Sequence, residues 1–516
     1  MSSVLLWAPL AFGIVGLFLP RKAVGWWAVL GTVVTLGVAI AIAVGFDNGT
    51  SSLQYAVDEP WISGLGVDYS LGIDGLNLFL VLLTAVLWVG GVAFAAFREQ
   101  RNAKTFYFLM LVAETATLGS FLAQDLLLFV LFFDLMLVPF YFLFGAWGHD
   151  RTAEGGLTAS AATLKMIVYT LIGSLLMLVA AIATAVIAAD GGHLTFSIAA
   201  LQEQGLSHGS QQWIFCFFAA AFLVKMPAFL LHGWMPDAYR AAPLPALIVF
   251  SGVLAKVGAY GFLRVVLPLF PDAAVEFQEV ILLVALASIL YGSVMAFTQT
   301  NVRLIAGYSS VAQLGFITAG IFALRADGSD GAVLQMVNHG LVVAPIFVIV
   351  ALLVERTGSE DIREMGGLAL RAPVLAALFL IVALATLAMP GSANFIGEFY
   401  ILNGLFQAKI VFAFVAISGV AMSAYYALRL YQGAMHNRKP EGLLSREIGF
   451  RDGLVLVPLV LCIVGLALYP QLILERTAPT VEQTVAKVRG GEAPEAQLAK
   501  STQDSGWTGY APLSSP

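Results

Sequence analysis

Lys225 in AAAFLVKMPAFLL, Lys256 in SGVLAKVGAYGFL and Glu398 in NFIGEFYILNGLF are ionisable side chains set inside otherwise apolar runs. A charge at the centre of a lipid-buried helix costs about 3 kcal/mol or more, so each must face a protein interior or a water-filled path. The chemistry such groups announce is the movement of an ion or a proton. Asp134, in LLLFVLFFDLMLVPFYFLF, is the natural carboxylate partner for Lys225, with Glu114 a second candidate. Burial disfavours an ammonium and a nearby carboxylate favours it. A lysine beside a movable carboxylate can therefore hold its proton while paired and release it on separation. A permanent buried salt bridge is the alternative, and it is costly scaffolding against an apolar pair. Lys165 and His232 are secondary candidates; Lys165 lies near the start of its helix, where snorkelling to the interface accounts for it.

The elements that must position these groups are helices. With 59% hydrophobic and only 11% charged residues, and long apolar runs recurring along the 516-residue chain, the expectation is an all-α polytopic membrane protein. Runs of about 20 apolar residues, the length that crosses a bilayer core, number about fourteen. Their centres fall near Phe12, Leu36, Leu87, Val112, Met136, Leu175, Phe222, Ala255, Ala287, Ile317, Val343, an interrupted twelfth near Pro390, Ala421 and Cys462. The segments are too long, and lack the alternation, for strands of a barrel wall. The first run shows no small-residue cleavage site and reads as a true helix.

Basic residues orient the chain, since Lys and Arg bias short loops toward the cytoplasm. Arg21 and Lys22, Arg98, Arg101 and Lys104, then Arg151, Arg240, Arg303, Arg356, Arg363 and Arg371, and finally Arg438, Lys439, Arg446 and Arg451 occupy every second connection, with Arg325 and Lys409 as exceptions. An even helix number puts both termini outside. The stretch after Pro479 is polar and reads as a loosely ordered tail. Cys216 and Cys462 stand alone with no metal or redox spacing, and no dinucleotide fingerprint, Walker A sequence or HExxH pair is present. The chain is expected to carry no redox centre, cofactor or metal of its own.

An internal repeat changes how the buried charges are read. Leu164-Lys165-Met166 resembles Leu334-Gln335-Met336, Lys225-Met226-Pro227 resembles Ala388-Met389-Pro390, and Ser251-Gly252-Val253 resembles Ser418-Gly419-Val420, all at an offset of roughly 165 residues. That offset spans about five helices, an odd number, so the copies cross the membrane in opposite senses as two inverted five-helix repeats. Each copy holds a helix break, at Pro227 and at Pro390-Gly391. Proline removes an amide donor, and freed carbonyls at membrane depth are tolerated only inside a bundle or beside water. The expected division is 1–104 for three N-terminal helices, 105–270 for the first repeat, 271–435 for the second, 436–470 for a cytoplasmic loop and the last helix, and 471–516 for the tail.

The strings FFDLMLVPFYFLFGAWGH, FLVKMPAFLLHGWMPDAYRAAP, GVLAKVGAYGFLRVVLPLFP and MPGSANFIGEFYIL resemble the antiporter-like membrane subunits of respiratory complex I, the proton-translocating NADH:quinone oxidoreductase, from about Leu71 to Gly433. Glutamate at Glu398 resembles the M branch of that family; the sister subunits L and N usually carry lysine there, and L adds a long C-terminal helix. The resemblance implies a proton pathway of Asp134, Lys225, Lys256, His339 and Glu398, in the fifth, broken seventh, eighth, eleventh and broken twelfth helices. It also implies that NADH, FMN, iron-sulfur clusters and quinone belong to partner subunits. The partners it implies are the other membrane-arm subunits, the lipid bilayer and protons, with no nucleic acid, in a bacterial inner membrane. Three departures stand out. Asp134 replaces the family's usual glutamate, Gln313 stands where many members have histidine and cannot titrate, and Tyr239 ends a PDAY that is often PDAH and reads as an interfacial aromatic. An Mrp-type cation/proton antiporter subunit or a membrane-bound hydrogenase module shares most of these motifs and is the alternative.

Overall fold

The computed structural model describes residues 1–151, 155–436 and 446–490. Arg438 and Lys439, used above to orient the chain, and the stretch 491–516 lie outside the described residues. The chain opens with α1 (Ser2–Phe18) and α2 (Arg21–Val44). It then forms an antiparallel hairpin of β1 (Gln54–Ile62) and β2 (Val67–Ile73). An all-α chain was expected, and the hairpin corrects that for the second connection. Gly66, at φ +64°, turns it, and a Cβ there would lie 1.9 Å from the Leu194 carbonyl oxygen. Only glycine allows both the left-handed turn and that approach.

Next come α3 (Leu78–Ala96), α4 (Ala103–Leu122), α5 (Leu126–Leu135) and α6 (Leu137–Trp147). Asp125 caps α5, its carboxylate accepting the Leu127 and Leu128 amides at 2.9 Å each. The α5/α6 joint follows from Pro139, whose missing N–H leaves the carbonyl one turn back unbonded. Then follow α7 (Ala159–Ala189), α8 (Ile198–Gln204), α9 (His208–Lys225) and α10 (Met235–Ala241). The eighth apolar run is one rod, α11 (Leu244–Val249), a π-helical turn over Phe250–Leu254, α12 (Ala255–Gly261), a second π-helical turn over Phe262–Val266, and α13 (Leu267–Leu269).

After α14 (Pro271–Glu276) the long helices resume as α15 (Gln278–Thr298), α16 (Val302–Phe322) and α17 (Ala326–Thr357). The chain continues through α18 (Pro373–Thr386), α19 (Ala393–Ala408), α20 (Ile410–Met435), α21 (Phe450–Leu468) and α22 (Gln471–Val488). Among the described residues eleven helical runs are long and apolar enough to span a bilayer, counting α5 with α6 and α11 through α13 as one each. The molecule is a multi-pass membrane protein. Its outer faces bear this out: Leu164, Val168, Leu171, Ile172, Leu175 and Val179 form an exposed apolar stripe along α7.

The stretch read as a tail from 471 is helical as far as Val488. Ile473, Leu474, Thr477, Thr480, Val481, Thr484, Val485 and Val488 recur at helical spacing and are buried. That inner face rests on α13, α14 and α17. The composition is polar only because the other face is.

α17 is the centre of the bundle, packed by α3, α11, α16, α18, α19, α21 and α22. Its contact with α19 is unusually close. A Cβ on Gly404 would lie 2.5 Å from Gly328 Cα, and one on Gly331 would lie 2.6 Å from the Ile401 amide nitrogen. Small residues let two backbones meet in this way inside a membrane.

Candidate functional site

The first helix break follows directly from Pro227. α9 stops at Lys225, and the chain runs irregularly to Met235. The backbone polar groups exposed by the break are taken up locally. Ala228 N donates to Leu223 O at 3.0 Å, the Trp234 indole donates to Val224 O at 3.1 Å, and Phe229 N donates to Ser288 Oγ at 2.9 Å. Lys225 is buried, with Nζ donating to the Phe133 carbonyl at 3.3 Å and lying 4.3 Å from the Phe133 ring centre. Asp134 is close enough to interact with it electrostatically, but among the described residues the two form no ion pair, and Asp134 Oδ1 has no hydrogen-bond partner. The expected contact is thus open, with the lysine resting on the carbonyl of the residue next to its carboxylate.

Lys256 lies on α12 between the two π-helical turns and is fully buried, donating to Ser251 O at 3.1 Å. A π-helical turn displaces the backbone hydrogen bonds of its helix, a distortion that recurs at functional sites. His339 on α17 is buried within electrostatic reach of Lys256, and its Nδ1 has no partner.

The second break runs from Leu387 to Ser392. Ala388 at φ +53° and Gly391 at φ +95° take the left-handed conformation on either side of Pro390 and interrupt the helix there. Met389 N donates to Leu384 O at 3.1 Å, the same five-residue closure seen at the first break. Asn338 Nδ2 donates to Ala393 O at 2.8 Å, and Asn394, buried beside it, has neither side-chain atom paired. Glu398, one turn into α19, accepts from Gln313 Nε2 at 2.8 Å, and Gln313 Oε1 accepts from Gln335 at 2.7 Å. Glu398 Oε2 is unpaired, and the buried Tyr426 interacts with Glu398 electrostatically. Buried polar atoms without protein partners are the places where internal water binds.

The secondary candidates separate. Glu114 is fully buried on α4 with both carboxylate oxygens unpaired. Lys165, read as a snorkelling residue, is partly exposed and forms an ion pair with Asp237 at 2.7 Å. His232 lies in the first break, its Nε2 3.2 Å from the Tyr291 hydroxyl. Gln313, set aside because it cannot titrate, is the link that orients Glu398. Tyr239, read as an interfacial aromatic, is buried and packs edge-on against Phe250 and Phe347. Sequence reasoning missed Gln335, Asn338, Asn394 and Tyr426, although each is a polar group within an apolar stretch, the signal that exposed the lysines.

Two ion-paired layers flank this row. Arg264 pairs with Asp74 at 2.5 Å and donates to the Tyr260 hydroxyl at 2.9 Å, beside a cavity of about 620 Å³ that Asp58, Glu203, Thr480 and Lys487 also line. Arg303 pairs with Glu360 at 2.8 Å and donates to Ala242 O at 2.6 Å, and Arg151 also pairs with Glu360.

A bundle with two proline breaks, each beside a buried ionisable group, defines a class of ion-translocating membrane subunit. Residues 123–423 match the transmembrane family NADH:quinone oxidoreductase/Mrp antiporter, and the chain belongs to that family. It is 36% identical over 470 residues to NADH-quinone oxidoreductase subunit M of Rhodobacter capsulatus, covering 89% of this chain and 90% of the relative. It is likewise 36% identical over 457 residues to subunit M of Escherichia coli K12, covering 86% and 89%. Among solved structures it superimposes on a chain of respiratory complex I from Thermus thermophilus with a TM-score of 0.86 at 28% identity, covering 95% of this chain and all of that one. A chain of the Mrp complex from Dietzia shares the fold, with a TM-score of 0.81 at 20% identity over 94% of this chain and 99% of that one.

Proposed function

We propose that the chain is the M-type proton-translocating subunit of the membrane arm of NADH:quinone oxidoreductase. The observation that carries this reading is the row of titratable groups Asp134, Lys225, Lys256, His339 and Glu398, Asp134 half-buried and the other four buried, two of them at the helix breaks. Fourteen spans result when α1, α9 and the broken pair α18 and α19 join the eleven long runs. The five-residue closures at Leu223/Ala228 and Leu384/Met389 support two inverted repeats over 105–270 and 271–435. The termini then face outward and the Arg303–Glu360 layer faces the cytoplasm of a bacterial inner membrane.

In this reading Lys225 leaves the Phe133 carbonyl to pair with Asp134, loads a proton from the cytoplasmic side, and passes it on when the pair opens. The proton moves by Lys256 and His339 through internal water and leaves by Glu398, which Gln313 holds in place. Neighbouring charges about 7 Å apart at an effective dielectric near 20 couple by roughly 2 to 3 kcal/mol, enough to pass the signal without large motion. Quinone reduction in partner subunits, among them sisters of the L and N type, supplies the drive, and NADH, FMN and iron-sulfur clusters belong to those partners. Among the described residues no cluster of His, Cys, Asp and Glu could hold a metal. The test is purification of the tagged chain from native membranes in mild detergent, with assay of NADH oxidation by quinone and of iron-sulfur signals. Both are expected. Small membrane partners alone, with sodium transport, would move the function to the antiporter branch of the family.

A further inference from the structure

Five polar side chains outside that row form a cluster beside the first break. Lys165 on α7 pairs with Asp237 on α10 at 2.7 Å. Asp237 lies within electrostatic range of Tyr308 on α16, without a direct hydrogen bond between them, and the Tyr308 ring packs against Tyr291 on α15. The Tyr291 hydroxyl is 3.2 Å from His232 Nε2. The rings are mutually packed, with centroids 4.8 Å apart for His232 and Tyr291, 6.2 Å for His232 and Tyr308, and 6.3 Å for the two tyrosines. His232 Nδ1 is buried without a partner. Two residues further on, Trp234 is bonded to the carbonyl that precedes Lys225. Five elements thus converge on one line of O–H and imidazole groups, ending in the irregular segment that holds Lys225.

We infer that Asp237, Tyr308, Tyr291 and His232 form the proton inlet to Lys225, with the two tyrosine hydroxyls as the conducting links. This rests on the proposed proton-translocating function and names residues for its entry step. A proton arriving at Asp237 passes through bridging water to the Tyr308 oxygen as that hydroxyl gives its own, by water, to Tyr291. Tyr291 gives its proton to His232 Nε2, and the imidazole releases one from Nδ1 to internal water on the way to Lys225. One proton enters and one leaves, and rotation of the hydroxyls with a tautomer change of His232 resets the line. Lys165 holds the Asp237 carboxylate at the mouth.

The test uses the complete enzyme complex, reconstituted in proteoliposomes, with ΔpH formation measured against NADH oxidation. Tyr291→Phe and Tyr308→Phe keep the rings and remove only the hydroxyls. His232→Gln keeps an acceptor near Tyr291 but cannot pass a proton through. Each is expected to lose pumping to the level of Lys225→Ala, with normal amounts of assembled complex and unchanged uncoupled quinone reduction. Phe229→Leu, which alters an apolar ring packed 5.2 Å from Tyr291 and removes no hydroxyl or imidazole, is expected to pump normally. Normal pumping by both tyrosine variants while Lys225→Ala fails would overturn the inlet and leave the function standing. Normal pumping by all, Lys225→Ala included, overturns both. If a tyrosine variant does not assemble, His232→Gln decides alone: retained pumping overturns the inlet and loss supports it.

Discussion

Lys225 and Glu398 are held in different ways, and the difference predicts what their replacement does. Lys225 rests on a backbone carbonyl and forms no ion pair among the described residues, so Lys225→Ala removes the proton carrier without breaking a salt bridge or adding a buried charge. Pumping by the complex should be abolished while its assembled level is unchanged; normal pumping at normal level would sink the relay. Glu398 instead depends on a neutral amide. Gln313→Leu leaves Glu398 Oε1 and the Gln335 amide without their partners, at about 1 to 3 kcal/mol for each buried group. The expected result is lower pumping with a partial loss of thermal stability, whereas Gln313→His, which can still donate, should retain most of both. Residues of the first kind were legible in the sequence because a charge in an apolar run is visible in one dimension. Gln313 and Gln335 were not, because a neutral polar residue in a helix declares its role only through the partner across the bundle.

At the scale of elements, the broken helices depend on contacts far along the chain. Glu447 caps α18, the first half of the second broken helix, accepting from Val374 N at 2.9 Å and Leu375 N at 3.1 Å, and also from Ile448 N at 2.7 Å. Partial burial pushes its carboxyl up, but those amides and the Arg356 guanidinium outweigh that and hold it below the ordinary glutamate value. A depressed carboxyl contributes stability that is present above its unfolded value and lost as pH falls through the folded one. Wild type should therefore lose more thermal stability than Glu447→Gln between neutral and acidic pH. The difference should be under about 1 kcal/mol, since the site is partly exposed and screened. The α17 and α19 contact is the stiffer element. Gly404→Ala places a methyl against the Gly328 backbone and should cost about 1 to 3 kcal/mol, visible as a lower melting temperature and weaker pumping. Both breaks could be read from proline, but the hairpin and α22 could not. The hairpin is a connection pinned by one glycine against the Leu194 backbone, and α22 is amphipathic, so its buried face vanishes in an averaged composition.

For the whole molecule, orientation is the next thing to measure. Single cysteines at the β1/β2 turn and at Thr357, in a background without Cys216 and Cys462, should be labelled by an impermeant thiol reagent from opposite sides of the membrane. The hairpin site is expected to be reached from outside; labelling of both from one side contradicts the inverted plan. The described chain also contains a hint about pace. Phe133, whose carbonyl holds Lys225, and Asp134, its proposed partner, are adjacent residues. Moving the ammonium from one to the other requires a side-chain rotation and no displacement of a helix. A single side-chain rotation is a smaller motion than the collective domain rearrangements that take microseconds to milliseconds or longer. A switch that moves so little need not be the clock of the machine. This subunit would then follow each turnover of its partners and not time it, and its stroke would stay in step however fast the donors are supplied.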